Sequence, residues 1–147
     1  MRIERVDASA VRPLRHKVLR PGQPFSTTRL DKDNDPETVH FALFSEVNII
    51  SIATVYPENM DVDYSKKGYR LRGMATDTEK QGFGYGTKLL DECVRYLKNE
   101  LNADCLWCNA RESAFGFYEK FGFNIVGEMF EIKNIGLHKK GIYHITT

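Results

Sequence analysis

Apolar and polar positions change period along the chain, and these changes predict where strands and helices lie. Alternation over residues 2–6 predicts a first strand. Apolar residues three and four apart predict a helix over 10–19, capped by Asp7 or Ser9. Further strand-like stretches are residues 39–44, 48–56, 69–76, 103–110, 123–132 and 137–145. Two more helices are predicted, one after residue 87 with an apolar stripe at Leu90, Val94, Leu97 and Leu101, and one ending at Gly122.

In chain order these elements form the series β-α-β-β-β-α-β-α-β-β. It predicts a fold that combines α-helices and β-strands (α/β, with an α+β mixed sheet), in which helices cover the sheet. Gly73 predicts a bulge or a close approach within its strand. Asn109, with Glu112 three residues later, predicts the start of the last helix.

The remaining polar residues are expected to lie in loops or on the solvent-facing side of a helix. Residues 23–37 predict a long loop that supplies part of an acceptor site, and residues 58–67 a polar connection. Asp31, Asp33 and Asp35 are expected to be solvated loop charges rather than cation ligands. The basic side of the first helix is expected to face solvent; it comprises Arg12, Arg15, His16 and Lys17.

Composition limits the classes of function. The 147 residues predict a single domain over 1–147, with 21 basic and 20 acidic side chains and therefore no field that would recruit nucleic acid. We expect no membrane segment and a cytoplasmic location, because no long apolar run occurs and three cysteines suit a reducing compartment. Cys105 and Cys108 are three apart in a predicted strand, so we expect packing residues and no metal site.

The stretch from Gln81 to Thr87 carries the most specific pattern, Gln-Gly-Phe-Gly-Tyr-Gly-Thr, between a strand and a helix. Helix N-termini hold phosphates through free N–H groups, and glycines let the backbone approach a ligand. The spacing differs from both the dinucleotide fingerprint and the Walker loop. A turn without any ligand is the alternative at this point.

The loop resembles the acyl-CoA loop of the GCN5-related N-acetyltransferase (GNAT) superfamily, with Gly84 and Gly86 as the pair facing a pyrophosphate. Tyr118-Glu-Lys-Phe-Gly-Phe resembles that superfamily's Tyr-x-x-x-Gly-Phe helix ending, and the order of elements resembles its fold. Short late matches at 127–130 and 136–138 resemble a poorly characterised bacterial branch. A non-catalytic acyl-CoA sensor and a nucleotide-binding or interaction module stay open as alternatives.

The resemblance implies acetyl-CoA as co-substrate and an amine acceptor. From charge and spacing we expect no metal and no nucleic acid or membrane partner; a homodimer stays open. Backbone groups of the strand end would pair with the pantetheine arm, and the glycine loop would hold the pyrophosphate. Arg111 stands where the superfamily often has Asn, and we expect it to bind cofactor or acceptor. The cofactor-binding residues implied are Met74, Ala75, Thr76, Gln81, Gly82, Phe83, Gly84, Tyr85, Gly86, Thr87, Asn109 and Arg111.

Tyr118 is the expected general acid, because a phenol of pKa about 10 can protonate a departing thiolate. Glu128 and His138 are the expected candidates for the base, since neutral histidine accepts protons near pH 7 and both lie on the final strands. Rivals that stay open are His40, His144, Glu46 and a chain of waters.

Overall fold

A computed structural model describes residues 1–61 and 66–145, and its strands and helices follow the predicted order. The strands are β1 (Arg2–Val6), β2 (Val39–Ser45), β3 (Asn48–Pro57), β4 (Gly68–Thr76), β5 (Cys105–Arg111), β6 (Asn124–Ile132) and β7 (Gly136–His144). The helices are α1 (Ala8–Leu14), α2 (Tyr85–Asn99) and α3 (Phe115–Phe121), with a π-helical segment at Arg15–Leu19 and short 3₁₀ turns at Phe25–Thr28, Thr78–Lys80 and Glu112–Ala114. Part of the predicted connection over 58–67, residues 62–65, lies outside the described residues.

The strands form one mixed sheet of order β1-β2-β3-β4-β5-β7-β6, which confirms the predicted fold class. Every neighbouring pair is antiparallel except β4 and β5, which run parallel. The last strand, β7, lies between β5 and β6 and is therefore an interior strand of the sheet.

Strands β4 and β5 separate after a short paired stretch. Their ladder joins Gly68–Arg70 to Cys105–Trp107, yet β4 continues to Thr76 and β5 to Arg111. Because the two strands are parallel, their carboxyl ends diverge at the same edge of the sheet and leave a cleft there. Ligands of α/β proteins commonly bind at such carboxyl ends.

A β-bulge shapes the β4 side of this cleft. The β3–β4 register changes between Ile52, which faces Ala75, and Thr54, which faces Arg72, so β4 has one extra residue there. Gly73 lies in this bulge with a φ of +60°, a conformation that side chains with a Cβ rarely adopt. The predicted bulge at Gly73 is thereby confirmed.

Helices pack on both faces of the sheet. The predicted apolar stripe of α2 faces one side, where Leu90 and Leu97 are fully buried against residues such as Phe41 and Leu106. On the other face, α1 buries Val11 and Leu14 against Ala42, Ile52 and Ala75. These two apolar layers fix the positions of the strands that border the cleft.

The first helix and the loop after it differ from the prediction. Asp7 is the cap that forms, and α1 gives way to the π-helical segment at Arg15. Arg15 and Asp33, expected in solvent, form a buried ion pair in which Nη1 and Nη2 donate to the two carboxylate oxygens at 2.8 and 3.0 Å. A charged side chain can be buried when its partner neutralises it, and this partner lies far along the chain.

The predicted cap of the last helix is wrong. Asn109 and Arg111 belong to β5, because the ladder with β7 continues until Arg111 pairs with His138. A 3₁₀ turn over Glu112–Ala114 then precedes α3, and no side chain caps either segment. Gly122, with φ of +123°, ends α3 as predicted.

Candidate active site

The opening between β4 and β5 is a cleft of about 860 Å³. It is bordered by the π-helical segment, the loop at Thr27, Thr28 and Leu30, β4, the glycine loop, the start of α2, the end of β5, α3 and the β6–β7 turn. Most of the residues expected from sequence line it: Met74, Ala75, Thr76, Gln81, Gly82, Gly84, Tyr85, Gly86, Thr87, Asn109, Arg111, Tyr118 and His138. Phe83 and Glu128 do not line it.

The glycine loop presents open backbone to the cleft. Gly82 and Gly84 have φ of +86° and +83°, and no atom lies within 4 Å of the place where a Cβ would be. Gly84 precedes α2, and no side chain caps the helix there, so the first-turn N–H groups are free to bind an anion. Gln81 closes the loop by donating from Nε2 to the Thr76 carbonyl at 3.0 Å.

Two further residues of the loop, Gly86 and Phe83, have different surroundings. A Cβ on Gly86 would lie 3.3 Å from Thr76 Oγ1 and 3.5 Å from the Phe117 ring, so this glycine also lets α2 pack closely on β4 and α3. Phe83 is 69% exposed on the outer side of the loop, beside Tyr85. Its ring is therefore available to a ligand only outside the cleft.

Tyr118 lies on α3 with its ring packed edge-on against Phe117 and Phe123, at centroid distances of 5.2 and 5.1 Å. Its hydroxyl lies beside the Cys108 thiol. Burial is the main cause that raises the pKa of Tyr118 well above its usual 10, and the neighbouring Cys108 raises it further. Burial likewise raises the pKa of Cys108 to about 12. Both groups therefore keep their protons at neutral pH.

His138 is the predicted base candidate that the structure brings into the cleft. It is buried on β7, opposite Arg111 of β5 and Phe130 of β6. Its ring stacks on Phe130 at 5.9 Å, and Nδ1 donates to the Gly136 carbonyl at 2.8 Å. The ring is thus held from the side and at one nitrogen.

The other base candidates lie elsewhere. Glu128 is exposed on β6, in the stretch where the β6–β7 register shifts. His40 is buried away from the cleft, with its ring nitrogens bound to Thr54 Oγ1 and the Asp33 carbonyl. Glu46 and His144 are exposed and do not line the cleft.

A cluster of three arginines lines the cleft beside His138, and the sequence reasoning identified only one of them. Arg20 and Arg111 both donate to the Leu19 carbonyl, at 2.9 and 3.0 Å. Burial lowers the pKa of Arg20, and the positive charges of Arg111, Arg72 and Arg15 lower it further. Burial also lowers the pKa of Arg111. These shifts indicate guanidinium groups that are crowded together and partly removed from water.

The arginine cluster, defined as Arg20, Arg72 and Arg111, forms no ion pair with a carboxylate in the described part of the chain. The two other arginines of the cleft are neutralised, Arg15 by Asp33 and Arg70 by Glu58. None of the described residues that line the cleft is Asp or Glu. The arrangement is therefore suited to an anionic ligand.

A sequence signal for Arg72 did exist. It follows Leu71, which is buried, in a central strand where both faces are usually apolar. A charge in such a strand needs a partner or a ligand. Arg20 gives no such signal, because it follows a helix end where basic residues are common. Arg111 was selected from its place in the superfamily's motif, and the structure shows that it ends β5 and does not begin a helix.

Other kinds of site receive no support. Within residues 1–61 and 66–145, no group of three or more His, Cys, Asp or Glu side chains could hold a metal ion. Cys93, Cys105 and Cys108 are free and buried. Among the described helices, none combines the length and the apolar character that crossing a membrane requires.

Comparison with known proteins gives a consistent result. The sequence model of the acetyltransferase (GNAT) family matches residues 8–123. The uncharacterized N-acetyltransferase YitI of Bacillus subtilis (strain 168) is 34% identical over 125 residues, which are 85% of this chain and 83% of that protein.

Solved structures agree with this at the level of the fold. An aminoglycoside 6'-N-acetyltransferase complexed with coenzyme A superposes with a TM-score of 0.75 at 14% identity, over 100% of this chain and 98% of that one. Escherichia coli ElaA superposes with a TM-score of 0.72 at 14% identity, over 97% and 99% of the two chains.

Proposed function

The chain belongs to the acetyltransferase (GNAT) family, and from that premise we propose that it transfers the acetyl group of acetyl-CoA to the amine of a small, anionic acceptor. The family supports acyl transfer and the binding of an acyl-CoA. The acetyl group, the class of acceptor and the roles of individual residues are our proposals, and each depends on the geometry of the cleft.

The glycine loop fits a pyrophosphate. Open space at Gly82 and Gly84, together with the uncapped first turn of α2, offers N–H donors that no side chain obstructs. The β4 backbone from Met74 to Thr76 borders the cleft where β5 no longer pairs with it, so its N–H and C=O groups can bind the amides of the pantetheine arm. One of these N–H groups would polarise the thioester carbonyl.

The unpaired arginine cluster is the reason that we propose an anionic acceptor. Arg20, Arg72 and Arg111 concentrate positive charge in a partly buried site with no carboxylate from the described cleft wall to balance it. Such a site attracts carboxylate or phosphate groups, which guanidinium groups bind in bidentate fashion. It repels polyamines and other acceptors that carry only positive charge.

Acetyl transfer to an ammonium group requires a base and an acid, and the cleft holds one of each. His138 lies next to the arginine cluster, so an acceptor anchored there by its anion would present its ammonium group to the imidazole. His138 would take that proton and release a nucleophilic amine. Tyr118, whose hydroxyl is protonated at neutral pH, would give its proton to the departing sulfur.

Matched acceptors test the proposal directly. Thiol release from acetyl-CoA would be measured with serine against serinol, O-phosphoethanolamine against ethanolamine, and spermidine. We expect kcat/KM to be about 100-fold higher for the anionic member of each pair, since two charge-assisted hydrogen bonds contribute about 3 kcal/mol or more.

Equal rates within the pairs, or a preference for spermidine, would contradict an anionic acceptor. Calorimetric titration with acetyl-CoA and with ATP serves as the control for the cofactor. Binding of acetyl-CoA alone would support the assignment of the loop, whereas tighter binding of ATP would contradict it.

A further inference from the structure

The turn that precedes His138 places a backbone carbonyl against its imidazole ring. We propose that the backbone carbonyl of Gly136 is a positioning group, which holds His138 with the proton on Nδ1 and the lone pair on Nε2. This inference rests on the proposed function, because it concerns how His138 would act as the base.

The assignment of the proton follows from the contact itself. His138 Nδ1 lies 2.8 Å from the Gly136 carbonyl oxygen, and a carbonyl can only accept a hydrogen bond. Nδ1 must therefore carry the proton of the neutral ring. Nε2 is then the unprotonated nitrogen, and it makes no hydrogen bond to any residue that the structure describes. A base needs such a free lone pair.

The carbonyl can be directed in this way because residue 136 is glycine. Its φ is +125°, in a region that residues with a Cβ rarely adopt, while no atom lies within 4 Å of the place a Cβ would take. The requirement is thus one of backbone conformation and not of space. The turn is tight, with Asn134 at φ of +67° and Ile135 N–H donating to the Ile132 carbonyl at 2.9 Å.

The same turn forms one wall of the cleft. Ile132 and Ile135 line it together with His138. A change in the turn would therefore alter both the wall that an acceptor touches and the hydrogen bond that orients the base. On its other side the ring stacks on Phe130, which limits it to small rotations about that hydrogen bond.

The tautomer can be observed in the unaltered protein. Long-range ¹H–¹⁵N spectra of the wild type distinguish the two neutral forms of histidine, and His138→Asn identifies the His138 signals among the four histidines. We expect the form protonated at Nδ1. A neutral His138 protonated at Nε2 would overturn the inference without any measurement of activity.

A matched pair of glycine variants tests the effect on catalysis. Gly127 lies on the same hairpin with φ of +80° and likewise has no atom within 4 Å of a Cβ, so Gly127→Ala introduces similar backbone strain away from His138. We expect Gly136→Ala to lower kcat roughly tenfold or more, because a misplaced catalytic group loses its alignment. Gly127→Ala should change kcat less than about threefold, and both should bind acetyl-CoA as the wild type does.

The outcomes separate this inference from the proposed function. If His138→Asn abolishes turnover while the two alanine variants lose equal activity, the Gly136 carbonyl has no positioning role and the base assignment stands. If His138→Asn keeps full kcat, the base assignment itself is wrong. If Gly136→Ala does not fold, the spectrum of the wild type decides the question.

Discussion

The Tyr118 hydroxyl is protonated throughout the neutral range, because an ordinary phenol has a pKa near 10 and burial raises the pKa of Tyr118 further. The proposed general acid needs a hydroxyl that carries its proton. We expect Tyr118→Phe to lower kcat by about 10²–10⁴-fold, the usual contribution of general acid–base catalysis. The ring that packs between Phe117 and Phe123 is kept, so the affinity for acetyl-CoA and the fold should not change.

Tyr143→Phe is the control for this substitution, since Tyr143 packs in the same aromatic group but does not line the cleft. A loss of one ordinary hydrogen bond would cost about 0.5–1.5 kcal/mol. Tyr118 would be a packing residue if its variant lost less than about threefold in kcat and behaved like Tyr143→Phe. The comparison needs an acceptor for which chemistry limits the rate.

The arginine cluster predicts an effect on the acceptor alone. Arg72→Ala removes a charged donor that makes no ion pair within the described chain, so little stability should be lost. A hydrogen bond to a charged group contributes about 1.5–3 kcal/mol, and we expect KM for an anionic acceptor to rise roughly 10- to 150-fold. Steady-state kinetics would show this with KM for acetyl-CoA unchanged. Arg95→Ala, on the exposed side of α2, is the control. An equal effect of both substitutions would rule out a specific site.

At the scale of elements, the junction of β4 and α2 predicts where the cofactor binds. Gly84→Glu would place a carboxylate in the open space beside the free N–H groups of α2, where a pyrophosphate is expected. We expect the Kd for acetyl-CoA, measured by calorimetry, to rise at least about 100-fold, because the glutamate side chain would occupy the place of the pyrophosphate and its charge would repel the phosphates. Gly127→Glu has a similar φ outside the loop and should bind normally. Normal binding by a folded Gly84→Glu protein would show that the loop does not hold the cofactor.

The buried pair of Arg15 and Asp33 ties the segment after α1 to the sheet and predicts a dependence of stability on pH. Burial alone would raise the pKa of Asp33, but hydrogen bonds from Arg15 and the Leu30 N–H, with the Arg15 charge, hold it below its usual 3.8. A carboxyl with a lowered folded pKa stabilises the fold above its unfolded pKa, and this contribution is lost as the pH falls through the folded value.

We therefore expect Asp33→Asn to lower the free energy of unfolding by about 3–5 kcal/mol at pH 7, the usual cost of leaving a buried charge unpaired. The difference from the wild type should begin to shrink below about pH 4, where Asp33 of the unfolded chain takes up a proton, and should disappear as the pH falls through the lower folded pKa. Urea denaturation at several pH values measures both. Asp31→Asn, in the same loop but exposed, is the control. A difference that does not change with pH would contradict the linkage to Asp33.

The strands and helices show which parts of the fold could be predicted from the sequence. The strands, α2 and the bulge at Gly73 were predictable because alternation, a helical stripe and a lone glycine are local patterns. The cap at Asn109 was wrong because pairing with β7 continues β5 to Arg111, which no local pattern records. Arg15 and Asp33 were wrongly placed in solvent for the same reason, since their burial depends on each other across a long separation in sequence.

At the scale of the whole molecule, the site is assembled from parts that the sequence cannot relate to one another. The motif-bearing residues, such as Gln81 and Tyr118, were found because each belongs to a local pattern. The arginine cluster was not, since its members come from the end of the first helical region, a central strand and the end of β5. They meet only because β4 and β5 separate and β7 enters the sheet beside β5.

The junction between β4 and β5 also predicts how the molecule unfolds. Strands β4 and β5 are joined by a short ladder, but the apolar cluster around α2 continues across it, from Phe41 and Leu71 on one side to Leu106 and Tyr118 on the other. Because this core is shared, we expect residues 1–147 to unfold in a single cooperative transition, as one domain. Two separate transitions in calorimetry would contradict this.

Acetyl-CoA would bind across the junction between β4 and β5, so it should stabilise β1–β4 and β5–β7 together. At a concentration of 100 times its Kd, a ligand that binds only the folded state adds about 2.7 kcal/mol. For a domain of this size that is a rise in Tm of roughly 5–10 °C. Calorimetry with and without acetyl-CoA measures the shift, and Gly84→Glu, which should not bind it, should show none. A second transition that stays at its original temperature while the first one rises would show that β1–β4 and β5–β7 fold as separate units, with the cofactor held by only one of them.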